Sequence, residues 1–168
     1  MYFRFVERPK YAHETLKTEG YVSQYGQDKW LIENIFPNKK DGVFVDIGAN
    51  DGVTLSNTLV LERLGWNGLA IEPIASTYEK LIASRKCTCI NGGIAARTGE
   101  YTFRKIVGES EMLSGIKEEF DPRHIERIDQ AVAEQGGQVV DETIQCYNLN
   151  ELLEQHGIKQ VDFVSIDV

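Results

Sequence analysis

Short apolar runs alternate with segments of helical period through the first half of the chain. Residues 43–47, 68–72 and 86–90 are compact apolar runs, which predict buried strands. Between these runs, residues 54–64 and 76–85 repeat apolar positions at helical spacing and predict helices. Because strand and helix follow each other in this way, the pattern predicts βαβ units and a mostly parallel sheet with helices on both faces.

The segment before the first strand has two parts. Residues 1–22 show no sustained period and are interpreted as an irregular lead-in to a single domain at 23–168. That domain begins with a helical pattern at 23–36, where Ser23 is suited to be the N-cap. Asp28 within this pattern is interpreted as an exposed helix charge.

The pattern changes after Gly93. Residues 94–96 and 100–107 predict a hairpin around the intervening turn, and 108–115 has the composition of a flexible loop. Helices are predicted at 121–135 and 149–156, and strands at 138–147 and 161–168.

The last predicted strand has a consequence for the domain as a whole. A buried parallel strand is normally followed by a covering helix, so we interpret this strand as the fourth of a sheet whose C-terminal part is missing. Since an apolar edge strand recruits other chains, the pattern also predicts a homo-oligomer formed through this edge.

Charge and cysteine content narrow the class of protein. Lys and Arg total 18 against 26 Asp and Glu, a net charge of −8, so no nucleic-acid partner is predicted. No apolar run has the length of a membrane span, and charges interrupt the N-terminus where a signal peptide needs an apolar core. The chain has three cysteines, Cys87, Cys89 and Cys146, and so small and odd a number does not suit a disulfide framework. The cysteine content therefore predicts a cytoplasmic protein.

The loop after the first strand carries the candidate chemistry. It reads Asp46-Ile-Gly48-Ala-Asn50-Asp-Gly52 and lies at the carboxyl end of the strand, where open α/β sheets bind their ligands. Its glycine spacing does not match the dinucleotide fingerprint, and the Lys-Ser/Thr pair of a phosphate-binding loop is absent. Since Asp46 would repel a phosphate, a neutral or cationic nucleoside is expected. The next helix is expected to begin at Thr54, with its first N–H groups directed into the cleft.

Two carboxylates end the first two strands. Asp46 and Glu72 are therefore expected to project into one cleft, and a carboxylate at the second of these positions suits the hydroxyls of a ribose. Each acid alone is compatible with an ordinary surface position, but the glycine loop between them favours a nucleoside site. Replacement of Glu72 is expected to weaken ligand binding without changing the stability of the free protein.

The sequence around the first strand resembles motif I of class I S-adenosylmethionine-dependent methyltransferases, with Asn50 in place of the middle glycine. The chain resembles the FkbM family in particular, because it carries four motifs in the order in which they occur in that family. These motifs are Ser23-Gln24-Tyr25-Gly26-Gln27-Asp28, Asp46-Ile-Gly-Ala-Asn50-Asp-Gly52, Ile71-Glu72-Pro73 and Phe163-Val-Ser-Ile-Asp167-Val168. The resemblance implies a Rossmann-like fold. FkbM-type sequences continue beyond the position of Val168, where the acceptor side of the pocket is normally built.

The resemblance also implies roles for individual residues, with S-adenosylmethionine as the cofactor. The backbone of Gly48, Asn50 and Gly52 would line its methionine end, and Asp46 would orient its ammonium group. The other implied contacts are Glu72 to the ribose hydroxyls, Asn91 beside the adenine, Gln24 and Gln27 as a cap on the pocket, and Asp167 facing the sulfonium and the acceptor as the catalytic residue.

Three functions remain open on the sequence. The leading one is a methyltransferase that acts on an oxygen of a small-molecule or glycan acceptor such as a sugar or secondary metabolite. The second is a non-catalytic cofactor-binding or assembly module, and the third, a Rossmann oxidoreductase, is disfavoured by the glycine spacing. No metal site is predicted, because the three histidines are scattered and no carboxylate cluster is evident.

Overall fold

A parallel sheet of four strands is at the centre of the computed structural model, which describes residues 20–108 and 113–167. Its strand order is β3-β2-β1-β8, where the strands are β1 Val43–Ile47, β2 Asn67–Glu72, β3 Thr88–Asn91 and β8 Phe163–Ile166. The helices are α1 Gln27–Trp30, α2 Leu59–Arg63, α3 Ala75–Ser84, α4 Pro122–Gln135 and α5 Leu149–Gln155. All three strand pairs in this sheet are parallel, as the alternating pattern predicted.

Helices cover both faces of the parallel sheet. On one face, Val45, Ile47, Leu69 and Ile71 pack with Leu152 of α5. The opposite face carries two clusters, formed by Phe44, Leu61 and Trp66 and by Ala49, Ala70 and Leu81, which draw on α2 and α3. Each large apolar side chain buried here contributes about 1.5–3 kcal/mol to folding. The Rossmann-like α/β fold class is confirmed.

A second sheet, mostly antiparallel, is inserted between β3 and β8. Its order is β4-β7-β5-β6, where the strands are β4 Gly93–Ile94, β5 Gly99–Val107, β6 Gly115–Ile116 and β7 Gln138–Tyr147. Gly93 and Gly99 both pair with Cys146, from opposite sides of β7. The predicted hairpin between residues 94–96 and 100–107 is therefore wrong, because β7 comes between the two segments. Of the predicted loop at 108–115, residues 109–112 lie outside the described residues.

The start of the first helix also differs from the prediction. The helical segment begins at Gln27 rather than at residue 23, and it continues as a π-helical turn over Leu31–Ile35. Ser23 is not the N-cap residue, because the residue before the helix is Gly26, which has a φ of 78°. The Ser23 hydroxyl nevertheless accepts a hydrogen bond of 3.3 Å from the amide of Asp28 in the first turn. Residues 1–19 of the predicted lead-in lie outside the described residues, as does Val168 at the end of the last predicted strand.

The length of the helices bears on membrane insertion. Within residues 20–108 and 113–167, no helix is both long and apolar enough to cross a membrane.

Candidate functional site

The loop after β1 turns over the end of β2. The amides of Gly48 and Ala49 both donate to the carbonyl oxygen of Ile71, each at 3.0 Å. Gly48 has a φ of 80° and Asn50 a φ of 51°, a left-handed conformation that glycine adopts freely and asparagine tolerates. This turn places the Asn50 amide 3.0 Å from Oε2 of Glu72. The loop and the terminal acid of β2 are therefore joined directly.

Glu72 is held at the carboxyl edge of the sheet by backbone groups. Its side chain is only 5% exposed, and its second oxygen, Oε1, accepts a hydrogen bond of 2.9 Å from the Ile74 amide. Asp46 pairs with Ala70 in the β1–β2 register, so Glu72, two residues further on, lies on the same face of the sheet as Asp46. The structure thus brings the two predicted carboxylates to one edge and one face.

Asp46 is buried beneath the loop. Its Oδ2 accepts a hydrogen bond of 2.5 Å from Oγ1 of Thr58. The Thr58 oxygen in turn accepts a hydrogen bond of 3.0 Å from Nη2 of Arg85. Burial raises the pKa of the Asp46 carboxyl, while the Thr58 hydrogen bond and the Arg85 charge lower it; burial has the larger effect. The ionisation of this carboxyl therefore depends on the neighbours that oppose the effect of burial, of which Thr58 and Arg85 have the largest effects.

Arg85 connects Asp46 to a second carboxylate. The guanidinium is fully shielded from solvent, with Nε 2.9 Å from Oε2 of Glu62 and Nη1 3.2 Å from the Gly52 carbonyl oxygen. Burial alone would raise the pKa of Glu62, but hydrogen bonds from Lys86, Cys87 and Arg85 hold this pKa below its ordinary value. A buried network therefore runs from Glu62 through Arg85 and Thr58 to Asp46.

A serine of β8 also contacts Asp46. Ser165 is opposite Asp46 in the register, and its hydroxyl hydrogen-bonds to this carboxyl. The same hydroxyl oxygen accepts a hydrogen bond of 3.0 Å from Nδ2 of Asn57. Among the described residues, Oδ1 of Asn57 is a buried oxygen with no hydrogen-bond partner. This side of the site therefore contains an acceptor that lacks a donor.

Asp167 lies just beyond the end of β8. Its backbone amide donates to the carbonyl oxygen of Ile47 at 2.9 Å, and its side chain is exposed. The negative charge of Asp167 raises the pKa of Asp46 through electrostatic repulsion at this edge of the sheet. The predicted catalytic residue thus lies close enough to the predicted ammonium site to affect it electrostatically.

Gly52 contacts helix α3. A Cβ atom on Gly52 would come within 2.8 Å of Arg85 Cγ, Leu81 Cδ1 and Ser84 Oγ, and the residue has a φ of 77°. Any larger residue would therefore push α3 away from the loop. The structure gives Gly52 a packing role, and its predicted contact with the cofactor remains a prediction.

The helix after the loop begins later than expected. The amides of Val53 and Thr54 are taken by Oδ1 of Asp51, and Ser56 Oγ accepts from the amide of Leu59, the first residue of α2. Such local side-chain bonds compete with helix formation. The prediction that Thr54 opens the helix with N–H groups directed into the cleft is therefore wrong.

The segment that precedes the sheet is organised by Asp28. Its side chain is fully buried and accepts hydrogen bonds from the amides of Val22, Ser23 and Lys29 and from the Ser23 hydroxyl, at 2.6–3.2 Å. The interpretation of Asp28 as an exposed charge is wrong. It holds the turn in which the two predicted capping residues lie.

Gln24 and Gln27 lie near the loop but do not reach it by any described hydrogen bond. A bridge between Ser23 and Leu55 attaches their segment to the loop. Gln24 is exposed, and Oε1 of Gln27 accepts a hydrogen bond of 2.8 Å from the Tyr25 amide in its own turn. Their role as a cap on the pocket remains a prediction.

Asn91 ends β3 beside the second strand. Its exposed side chain donates through Nδ2 to the carbonyl oxygens of Glu72, at 2.9 Å, and Pro73, at 3.3 Å. A small cavity opens here, lined by Pro73, Ala75, Asn91, Gly92 and residues 142–145 of β7. Asn91 is thus adjacent to Glu72, and its place beside the adenine remains a prediction.

Burial makes two of the cysteines poor nucleophiles. Burial raises the pKa of Cys87 far above its ordinary value and raises that of Cys89, so both thiols stay protonated and unreactive. Within residues 20–108 and 113–167, no group of three or more His, Cys, Asp or Glu side chains is arranged to hold a metal ion.

Sequence reasoning missed the residues that support Asp46. They are Asn57, Thr58, Glu62, Arg85 and Ser165. Only one of them carried a visible signal, because a serine inside the apolar run of the last strand needs a buried hydrogen-bond partner.

Comparison with known families assigns the chain to a protein family. A family model described as the methyltransferase FkbM domain matches residues 46–168, from the first carboxylate of the site to the last strand. The chain belongs to the FkbM methyltransferase family. Gln24 and Gln27 precede the matched FkbM region. No match was found among curated proteins or among solved structures.

Proposed function

We propose that this FkbM-family chain binds S-adenosylmethionine at the carboxyl edge of the parallel sheet and methylates an oxygen of a sugar, glycan or secondary metabolite. One observation carries the proposal: two buried carboxylates, Asp46 and Glu72, lie on one face at the carboxyl ends of adjacent strands and are joined by the glycine loop. The choice of an oxygen acceptor rests on the resemblance to the family.

The residues present fit the chemistry of this donor. S-adenosylmethionine carries two cationic groups, an ammonium and a sulfonium, and Asp46 and Asp167 supply negative charge at the matching end of the sheet. The buried Oδ1 of Asn57, which has no partner among the described residues, is suited to a ligand that brings a donor. Glu72 is fixed where it can accept hydrogen bonds from ribose hydroxyls.

The chain's own residues would bind, orient and deprotonate. When bound, S-adenosylmethionine supplies an activated methyl group on its sulfonium. Asp46 would hold the ammonium group, Glu72 the ribose hydroxyls, the backbone of Gly48 to Gly52 the methionine end, and Asn91 the adenine. The exposed carboxylate of Asp167 would accept the proton of the acceptor hydroxyl and so act as the general base for the transfer.

Calorimetric titration with S-adenosylhomocysteine and with NAD tests the proposal. We expect S-adenosylhomocysteine to bind and NAD not to bind, because the loop lacks the dinucleotide spacing and presents an acid. Asp167→Asn should retain this affinity and lower the rate of methyl transfer to a panel of sugar and glycan acceptors by roughly 10²–10⁴-fold, the usual contribution of a general base.

The outcomes of this experiment separate the candidate functions. Failure of the wild type to bind S-adenosylhomocysteine would contradict the proposal, and preferential binding of NAD would favour an oxidoreductase. Binding without transfer to any acceptor would favour the alternative of a non-catalytic cofactor-binding module. Equal transfer rates in the wild type and Asp167→Asn would remove Asp167 from the mechanism.

Self-association through β8 is a separate part of the proposal. Among the described residues, β8 pairs only with β1, and Val164 and Ile166 expose 43% and 66% of their surface. An apolar strand with an open edge recruits another chain. Light scattering coupled to size exclusion is expected to report a dimer at concentrations of tens of micromolar, whereas a monomer mass for well-folded protein would contradict it.

A further inference from the structure

We propose that Thr58 is a positioning residue that, backed by Arg85, holds Asp46 as an ionised acceptor for the ammonium group of the methyl donor. The inference rests on the proposed function, since it assigns the ammonium group to Asp46. It concerns residues that contact neither the donor nor the acceptor in our assignment.

The hydrogen bonds of this network run in one direction, from Arg85 through Thr58 to Asp46. A guanidinium group has only donors, so Oγ1 of Thr58 must accept from Nη2 of Arg85, across 3.0 Å. A hydroxyl group has a single proton, and that of Thr58 is therefore available for Asp46, whose Oδ2 lies 2.5 Å away. Because Thr58 donates, the Asp46 oxygen must accept, and a carboxylate accepts more strongly than a carboxylic acid.

Arg85 is itself held in place from several directions. Its guanidinium is fully shielded, forms an ion pair with Glu62, and donates to the backbone of Gly52 and to the hydroxyl of Ser56, at 3.2 and 3.4 Å. It also lies over the ring of Phe44, 5.4 Å from the centroid. A guanidinium fixed in this way cannot turn away from Thr58, so the proton of Thr58 stays directed at Asp46.

The other groups that face Asp46 also affect its pKa. From β8, the Ser165 hydroxyl stabilises the carboxylate and the Asp167 charge disfavours it. From α2 and the end of α3, Thr58 and Arg85 both stabilise it. Because burial raises the pKa of Asp46, removal of the Thr58 hydroxyl raises this pKa further, and the carboxylate should then be lost at a higher pH.

The test compares two ligands across the acidic pH range. S-adenosylhomocysteine carries the ammonium group, whereas 5′-methylthioadenosine has the same nucleoside without it. Affinities are measured for the wild type, for Thr58→Val, which keeps the shape and removes the hydroxyl, and for Thr58→Ser, which keeps the hydroxyl. Thermal midpoints are recorded for all three proteins, and Thr58→Cys, with a weakly donating thiol, replaces the Val variant if that variant does not fold.

We expect the affinity for S-adenosylhomocysteine to fall with decreasing pH, and this fall to begin at a higher pH in Thr58→Val than in the wild type. Thr58→Ser should follow the wild-type profile, and 5′-methylthioadenosine should bind all three proteins alike. An unchanged profile in Thr58→Val, or equal losses for both ligands, would overturn the proposal while leaving the proposed function intact. Absence of binding of either ligand to the wild type would instead overturn the proposed function, and this proposal with it.

Discussion

Replacement of Arg85 by Met is expected to lower the free energy of unfolding by about 3–5 kcal/mol, the usual cost of breaking a buried ion pair by removal of one partner. The side chain of Arg85 is fully buried and that of Glu62 is 12% exposed, so water cannot easily take over the lost contacts. Thr58 and the Gly52 carbonyl also lose their donor. Denaturant unfolding followed by circular dichroism measures the effect.

Lys86→Met is the matched control for this measurement. Lys86 is the next residue, carries the same charge and is exposed, so its loss should change the free energy of unfolding by less than about 0.5 kcal/mol. Its backbone amide, which donates to Glu62 at 3.0 Å, is unaffected by the substitution. If the two variants unfold at the same denaturant concentration, the buried network contributes nothing to stability.

The Glu62–Arg85 pair also gives the protein a pH dependence with a definite sign. The pKa of Glu62 is held below its ordinary value in the folded protein, so its contribution to stability is present above the unfolded pKa. This contribution is lost as the pH falls through the folded pKa. In Arg85→Met one of the interactions that lower this pKa is gone, so part of the acid sensitivity should disappear with it.

The parallel sheet could be predicted from the sequence because its signals are local. Each of β1, β2 and β3 is a short apolar run that ends at a polar or glycine residue, and the helix between each pair shows its own period. The second sheet could not be predicted in the same way. β4 and β5 are neighbours in sequence, but β7, which arrives some forty residues later along the chain, takes the place between them.

Within the site, the carboxylates at the strand ends could be predicted from the sequence, but the residues that hydrogen-bond around them could not. Asp46 and Glu72 could be placed because the carboxyl ends of adjacent parallel strands meet at one edge. Thr58 contacts Asp46 from 12 residues further along the chain, and Arg85, at the end of α3 and 39 residues beyond Asp46, contacts Thr58 in turn. The packing of α3 against Gly52 holds Arg85 in this position. No spacing rule marks such residues, and in the sequence Arg85 is an ordinary charge at the end of a helix.

Replacement of Glu72 by Ala is expected to weaken binding of S-adenosylhomocysteine by at least about tenfold, since a charge-assisted hydrogen bond contributes about 1.5–3 kcal/mol. The structure corrects the expectation that the free protein would be unaffected. Glu72 accepts hydrogen bonds from the amides of Asn50 and Ile74, which lose their acceptor in the variant. Because neither residue is fully buried, the loss of stability should be near the low end of the range of about 1–3 kcal/mol for each amide.

A pair of ligands separates the two effects of this substitution. If Glu72 holds the ribose, Glu72→Ala should weaken S-adenosylhomocysteine far more than its 2′-deoxy analogue, whereas a distorted loop would weaken both ligands equally. Glu79→Ala removes the same charge from an exposed position on α3 and should change neither binding nor stability. Titrations are made at a temperature where circular dichroism shows each variant to be folded, so that the lower stability of Glu72→Ala does not reduce the measured affinity. Equal losses for the two ligands would move the ribose away from Glu72 and leave this residue with the structural role that its two backbone hydrogen bonds already give it.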